Sequence, residues 1–182
     1  MEVQRYIFLD RDGVIIKDKA YVHAIKDIEF LPNAVEGLLK IQQLGYKFVI
    51  ITNQAGVARG YYSLKEAEDF NEEVVCRLKA QGVVIIKSYL CPHHPDFTGP
   101  CNCRKPNTGF VERAVKELNI PATGSIFIGD KDSDIKLGKN CSGTTFLIKN
   151  KQYQITIKPD VVVPDLIEAY TIIKDLSCRV LK

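Results

Sequence analysis

The sequence has no tryptophan and almost no net charge, since 25 basic side chains against 22 acidic ones leave +3 over 182 residues. A nucleic-acid module would carry a basic stripe interleaved with aromatics, so this balance argues against that class of partner. Long hydrophobic runs are missing as well. The opening MEVQRYIFLDRDG reaches charged residues before a signal-peptide core could form, and runs such as Val83 to Ile86 are far too short to span a bilayer. A cytoplasmic protein with no membrane partner is expected. Internal repeats, low-complexity tracts and linkers are absent too, so residues 1–182 are expected to form a single domain.

What is present is a composition 46% hydrophobic, enough to bury a core without disulfide staples. Six cysteines in a reducing compartment are expected to remain thiols. Three of them, Cys91, Cys101 and Cys103, crowd around His93. Cys76, Cys141 and Cys178 are scattered and read as small apolar residues.

Strand-like runs rich in Ile, Val, Phe and Tyr recur at Tyr6 to Leu9, Lys47 to Ile51, Val83 to Leu90, Ser125 to Ile128 and Thr144 to Ile148. Helical patterns lie between them. One spans residues 33 to 44 with Val35, Leu38, Leu39 and Leu44 on one side. A second starts at the Ser63/Glu66 capping box and repeats through Ala67, Phe70, Val74, Val75 and Leu78 to Gly82. A third carries Phe110, Val111, Ala114, Val115 and Leu118, and a last runs from about Pro164 to Leu176. Continuous apolar strands alternating with helices predict an α/β, Rossmann-like three-layer sandwich with a mostly parallel sheet. Ligands of such sheets bind beyond the carboxyl ends of the strands. Asp10, Thr52 with Asn53, Cys91, and Gly129 with Asp130 all fall at those ends. Two connections, 14 to 31 and 91 to 108, are long enough to be functional.

Asp10 and Asp12 alone are most simply a cap or turn, but Gly129-Asp130-Lys131-Asp132-Ser133-Asp134 ends another strand in the same acidic way. Carboxylates gathered on one edge raise each other's pKa unless a cation lies between them, and hard oxygen ligands of this kind suit Mg²⁺. Thr52 and Asn53 offer neutral donors and Arg104 with Lys105 positive charge, which together would hold a phosphate. The stretch CPHHPDFTGPCNC offers Cys91, His93, Cys101 and Cys103 to a tetrahedral zinc, with His94 able to replace His93. All four positions would be filled by protein, so this zinc would be structural.

Taken in order, the segments LDRDG, AYVH, FLP, TNQAGVARG, CPHHP, CNCRKP and IGDKDSD resemble the haloacid dehalogenase (HAD) superfamily, and within it the D,D-heptose 1,7-bisphosphate phosphatases. Histidinol-phosphate phosphatases share DRDG, the zinc loop and CRKP, but GVARG and YVH look like the heptose enzymes. The resemblance implies a HAD-like fold with a minimal cap and a zinc-binding loop, acting as a monomer on a small sugar phosphate. It implies Asp10 as nucleophile and Asp12 as proton donor and then acceptor. It further implies Mg²⁺ on the carboxylates of Asp10 and Asp130 and the backbone carbonyl of Asp12. Thr52 and Lys105 would hold the phosphoryl oxygens, with Asp134 orienting the Lys105 or metal region from behind. Arg11, Asp18, Lys19, Ala20, Tyr21, Asn53, Gln54, Ala55, Arg104 and Lys131 would meet the substrate. The product would feed a nucleotide-activated heptose for lipopolysaccharide-type surface polysaccharide, with histidinol phosphate or another small sugar phosphate as the rival substrate. Val14, Ala20 and Ala55 stand where the family often has Thr, Gly and Ser, and the segment from His93 to Cys101 is short. These departures bear on the choice of substrate, since one lost hydroxyl partner is worth about 1 to 3 kcal/mol.

Overall fold

A computed structural model describes residues 5–150 and 152–180, with side chains to residue 177. Six strands, β1 (Arg5–Leu9), β2 (Tyr46–Asn53), β3 (Ile85–Cys91), β4 (Ile126–Gly129), β5 (Thr144–Ile148) and β6 (Val161–Val163), form one sheet in the order β3-β2-β1-β4-β5-β6. Every adjacent pair is parallel. Side-chain alternation along a strand explains how one short segment serves two cores. Ile7 and Leu9 of β1 join one apolar cluster, Tyr6 and Phe8 the other. Burying each of these side chains is worth roughly 1.5 to 3 kcal/mol.

The first face is covered by α1 (Ala34–Gln43), α3 (Leu64–Ala80) and α7 (Leu166–Val180), through Leu38, Ile41, Phe70, Val74, Leu78, Leu166 and Ile173. Gly37 lets α1 come down onto α7, since a Cβ there would lie 2.6 Å from the Leu166 backbone. The second face is covered by α5 (Gly109–Leu118) and α6 (Asp132–Asn140), where Phe127 stacks on Phe8 with ring centroids 4.8 Å apart. Helices on both sides make the three-layer α/β sandwich that the alternation of elements predicts. The Ser63/Glu66 capping box forms as expected, with both reciprocal hydrogen bonds present. Among the described residues, no helix is long and apolar enough to cross a membrane.

The structure departs from the sequence reading in several places. Helix α6 and strand β6 went unrecognised, because α6 begins within the acidic run and β6 is only three residues long. Two further short helices, α2 (Ala55–Ala58) and α4 (Pro95–Thr98), lie within loops. The connection 14 to 31 is part of the core where it begins: Val14, Ile15 and Ile16 are buried, and Ile16 bridges Phe30. Cys76 is exposed rather than packed, since it falls on the outer side of α3, while Cys141 is half-buried against the second core. The Cys178 side chain lies outside the described residues.

Candidate active site

The sheet order reverses between β1 and β4, and the crevice at such a switch point is where an open parallel sheet leaves room for a ligand. Asp10 follows β1 and Asp130 follows β4, so the two acids meet across that crevice. The turn after β1 is dictated by this meeting. Gly13 has φ +84°, and a Cβ on it would lie 2.1 Å from Asp130 Oδ2. Gly129 plays the matching part after β4, where a Cβ would lie 2.1 Å from Asp134 Cβ. Gly13→Ala is therefore expected to lower stability by ~1–3 kcal/mol and turnover by at least tenfold. A denaturant melt and a phosphate-release assay check the two effects.

Ligand atoms of Asp10, Asp130 and Asp134, all buried, lie within 4.8 Å of one another. Lys105, itself 4% exposed, places Nζ 2.8 Å from Asp10 Oδ1 and 2.7 Å from Asp134 Oδ1. Burial alone would lower the Lys105 pKa, but the two carboxylates outweigh it and the ammonium stays charged. Asp130 is differently placed. Its Oδ2 accepts from Asn150 Nδ2 at 2.8 Å, while its buried Oδ1 accepts no hydrogen bond and the nearest ammonium, Lys131 Nζ, stands 3.9 Å away. Burial, and then the charge of Asp10, push the Asp130 carboxyl up to about 8. A buried carboxylate oxygen without a donor, facing a second carboxylate, is the environment that a hard divalent cation such as Mg²⁺ relieves. Asp10 and Asp130 fit that ion. Asp134 does not fit as well, since one of its oxygens is paired with Lys105 and the other accepts from the Lys131 backbone N–H.

Asp12 reaches the cleft from the opposite side. Its Oδ2 accepts from Gln54 Nε2 at 2.7 Å, and Thr52 Oγ1 stands 3.5 Å away. Arg11 donates to both Asp12 oxygens, at 3.0 Å to Oδ2. Tyr62, whose phenol burial pushes up to about 12, donates to Gln54 Oε1 and so orients the amide that holds Asp12.

A cleft of about 350 Å³ opens above these groups, lined among others by Asp10, Asp12, Asp18, Ala20, Tyr21, Asn53, Gln54, Ala55, Arg104, Lys105 and Lys131. Three residues expected at the substrate or phosphate lie elsewhere. Arg11 is 1% exposed, with its guanidinium 4.7 Å from the Phe70 ring centroid and committed to Asp12, because the side chain after an inward-facing acid points into the layer beneath. Lys19 turns outward, donating to the Asp27 carbonyl and pairing with Glu29. Thr52 is fully buried and accepts from Gln54 Nε2, beneath the cleft rather than on it. Asn53 lines the cleft while clamping the Lys105 backbone, with Asn53 Nδ2 donating to Lys105 O and Lys105 N donating to Asn53 Oδ1. Tyr62, Val22, Ser133 and Tyr153 also line it without having been assigned to it; Val22 and Ser133 lie within the AYVH and IGDKDSD segments, whereas Tyr62 and Tyr153 belong to no recognisable pattern.

The Cys/His cluster stands beside this cleft. Cys103 Sγ lies 3.2 Å from Cys91 Sγ and 3.5 Å from Cys101 Sγ, and Cys91 Sγ lies 3.8 Å from Cys101 Sγ. His93 Nδ1 is 3.3 Å from Cys103 Sγ, whereas His94 caps α4 through its Nδ1 and has Arg59 near its Nε2. A tetrahedron with zinc–sulfur bonds of about 2.3 Å has sulfur–sulfur edges of about 3.8 Å, so the four atoms are compact enough to fit zinc. Burial holds the Cys91 and Cys103 thiols up, which makes three adjacent thiolates untenable without a cation. The fold ties this cluster to the cleft. Arg104 Nη1 donates to the His93 carbonyl at 3.0 Å, and Gln54 N donates to the Cys91 carbonyl at 2.7 Å.

Comparison with known proteins agrees with this architecture. Residues 102–169 match the HAD-hydrolase-like family model. A D-glycero-alpha-D-manno-heptose-1,7-bisphosphate 7-phosphatase of Photorhabdus laumondii is 46% identical over 148 residues, covering 78% of this chain and 81% of its own. A D-glycero-beta-D-manno-heptose-1,7-bisphosphate 7-phosphatase of Haemophilus influenzae is 40% identical over 140 residues, 75% and 76% of the two chains. In fold, the chain superposes with a TM-score of 0.82 on the D,D-heptose 1,7-bisphosphate phosphatase of B. bronchiseptica crystallised with magnesium and phosphate, at 24% identity over 94% of this chain and 98% of that one. Sharing close to half its residues with the Photorhabdus relative over the aligned span, the chain belongs to the D-glycero-D-manno-heptose-1,7-bisphosphate 7-phosphatase family of HAD-like hydrolases.

Proposed function

We propose that this chain, acting as a single-domain monomer in the cytoplasm, hydrolyses the 7-phosphate of D-glycero-D-manno-heptose 1,7-bisphosphate and so supplies nucleotide-activated heptose for surface polysaccharide. The observation that carries the reading is the convergence of Asp10, Asp12 and Lys105 on one cleft, with Asp130 buried beside Asp10, in a chain 46% identical to a relative that bears that name.

Asp10 Oδ1 is held by the Arg11 backbone N–H at 2.7 Å and by Lys105, leaving Oδ2 to attack phosphorus. The bond from phosphorus to the C7 oxygen breaks as the aspartyl-phosphate forms, splitting one difficult hydrolysis into two steps. Asp12 gives a proton to the departing sugar oxygen and later takes one from the water that cleaves the aspartyl-phosphate. Arg11 Nη2, 3.0 Å from Asp12 Oδ2, and the Gln54 amide hold that carboxyl in the cleft. Lys105 holds a phosphoryl oxygen, with Asp134 fixing its ammonium from behind. Magnesium, bound by Asp10, Asp130 and the Asp12 carbonyl, would screen the anionic nucleophile from the anionic phosphate. Zinc on Cys91, His93, Cys101 and Cys103 would keep Arg104 and Lys105 in place.

Phosphate release from the alpha and beta heptose bisphosphates and from histidinol phosphate, each with and without chelator, tests the proposal. Turnover is expected to be fastest on one heptose anomer and to vanish with chelator. Faster release from histidinol phosphate would overturn it.

A further inference from the structure

The segment after β5 carries no catalytic motif, yet it is fastened to acids around the cleft. Asn150 Nδ2 donates to Asp130 Oδ2. The backbone N–H groups of Thr156 and Ile157 donate to the Asp132 carboxylate at 3.0 Å. Between these anchors Tyr153 is held in a turn by Asn150 Oδ1, which accepts from the Gln152 and Tyr153 backbone N–H groups at 2.9 and 3.3 Å. Its hydroxyl donates to Asp18 Oδ2 at 2.6 Å, the same oxygen that accepts from Lys131 Nζ at 2.9 Å. The Lys131 ammonium also lies 4.5 Å from the Tyr153 ring centroid.

Among the described residues, three cationic side chains line the cleft, Arg104, Lys105 and Lys131. Lys105 is locked between Asp10 and Asp134 beside the reacting centre. A substrate with two phosphates brings a second anion, and among the described cleft residues Arg104 and Lys131 are left to meet it. Besides Asp130, whose Oδ1 stands 3.9 Å from the Lys131 ammonium, Tyr153 acts on that ammonium in two ways. The hydroxyl takes part of the accepting capacity of Asp18, leaving the ammonium less neutralised, and the ring face holds that ammonium in place.

We infer that Tyr153 is a positioning residue that sets Lys131 against the second anionic group of the substrate, and so governs preference for a bisphosphate over a monophosphate. The inference rests on the bisphosphatase reading above.

The test compares KM and kcat of the holoenzyme on the heptose bisphosphate and on p-nitrophenyl phosphate, for wild type, Tyr153→Phe and Tyr153→Leu, with thermal melts confirming that each is folded. Tyr153→Phe keeps the ring and loses the hydroxyl, and should raise the bisphosphate KM roughly three- to tenfold more than the monophosphate KM, the size of one ordinary net hydrogen bond. Tyr153→Leu loses both contacts and should widen that gap, with Phe intermediate. Equal losses on both substrates, or no change on either, overturn the inference while leaving the bisphosphatase reading intact. A wild type that hydrolyses p-nitrophenyl phosphate but not the bisphosphate overturns both.

Discussion

Asp10→Asn is expected to lower kcat on the heptose bisphosphate by at least about 10⁴-fold, equivalent to ~5.5 kcal/mol of transition-state stabilisation. The loss should be confined to chemistry. Asparagine has the shape of aspartate, and its amide oxygen can still accept from the Arg11 N–H and the Lys105 ammonium that hold Oδ1. Lys105 keeps its second partner, Asp134. Removing one negative charge also eases the repulsion that, after burial, lifts the Asp130 carboxyl. The variant should therefore melt close to wild type and match it in zinc content. Intact-mass measurement after rapid acid quench should show a phosphorylated protein for wild type and none for the variant. A variant that turned over at a tenth of the wild-type rate would remove Asp10 from the role of nucleophile.

Cys103→Ser is expected to have the second-largest effect, on stability and activity together. Cys103 is the hub of its cluster, with Cys91, Cys101 and His93 all within 3.5 Å of its sulfur. A serine hydroxyl is a poor replacement for thiolate, so zinc should be lost. Zinc contributes an apparent ~10–16 kcal/mol to the folding of small zinc domains. Losing only ~4 kcal/mol of that here would lower Tm by roughly 8 to 16 °C. Catalysis should fall because the next two residues are Arg104 and Lys105. Displacing Lys105 by about 1 Å is enough to cost on the order of 10²-fold in rate. Metal analysis, a thermal melt and phosphate release measure the three consequences. Full activity in zinc-free protein would show that Asn53, which clamps the Lys105 backbone, suffices without the cluster.

Much of the architecture was legible because the strands are buried on both faces and so read as unbroken apolar runs. β5 was bounded to the residue, and β1, β2 and β4 to within two residues at each end. The failures share a cause. In α6 the first turn is built from Asp132, Ser133 and Asp134, so the polar residues that mark the site hide the helix that carries them. In the connection 14 to 31, Val14, Ile15 and Ile16 are core residues, a fact visible only once their cover exists. Arg11, which the resemblance puts among the residues that meet the substrate, sits between two acids in the chain. The strand's alternation instead drives it beneath Asp12 and onto Phe70.

By itself the sequence determined the chemical inventory: the order of the first five strands and of the helices α1, α3, α5 and α7, the two acidic turns, the four zinc-type ligands and the basic pair beside them. Those follow from local patterns of side-chain type, spacing and turn chemistry, which a chain carries whether or not it is folded. Which of these groups meet was decided only by tertiary structure. Lys105 between Asp10 and Asp134, His93 rather than His94 at the thiols, and Tyr153 with Lys131 on Asp18 are each contacts between distant segments. No local rule constrains them, because their distances are set by how the helices pack the sheet and where the strand order reverses.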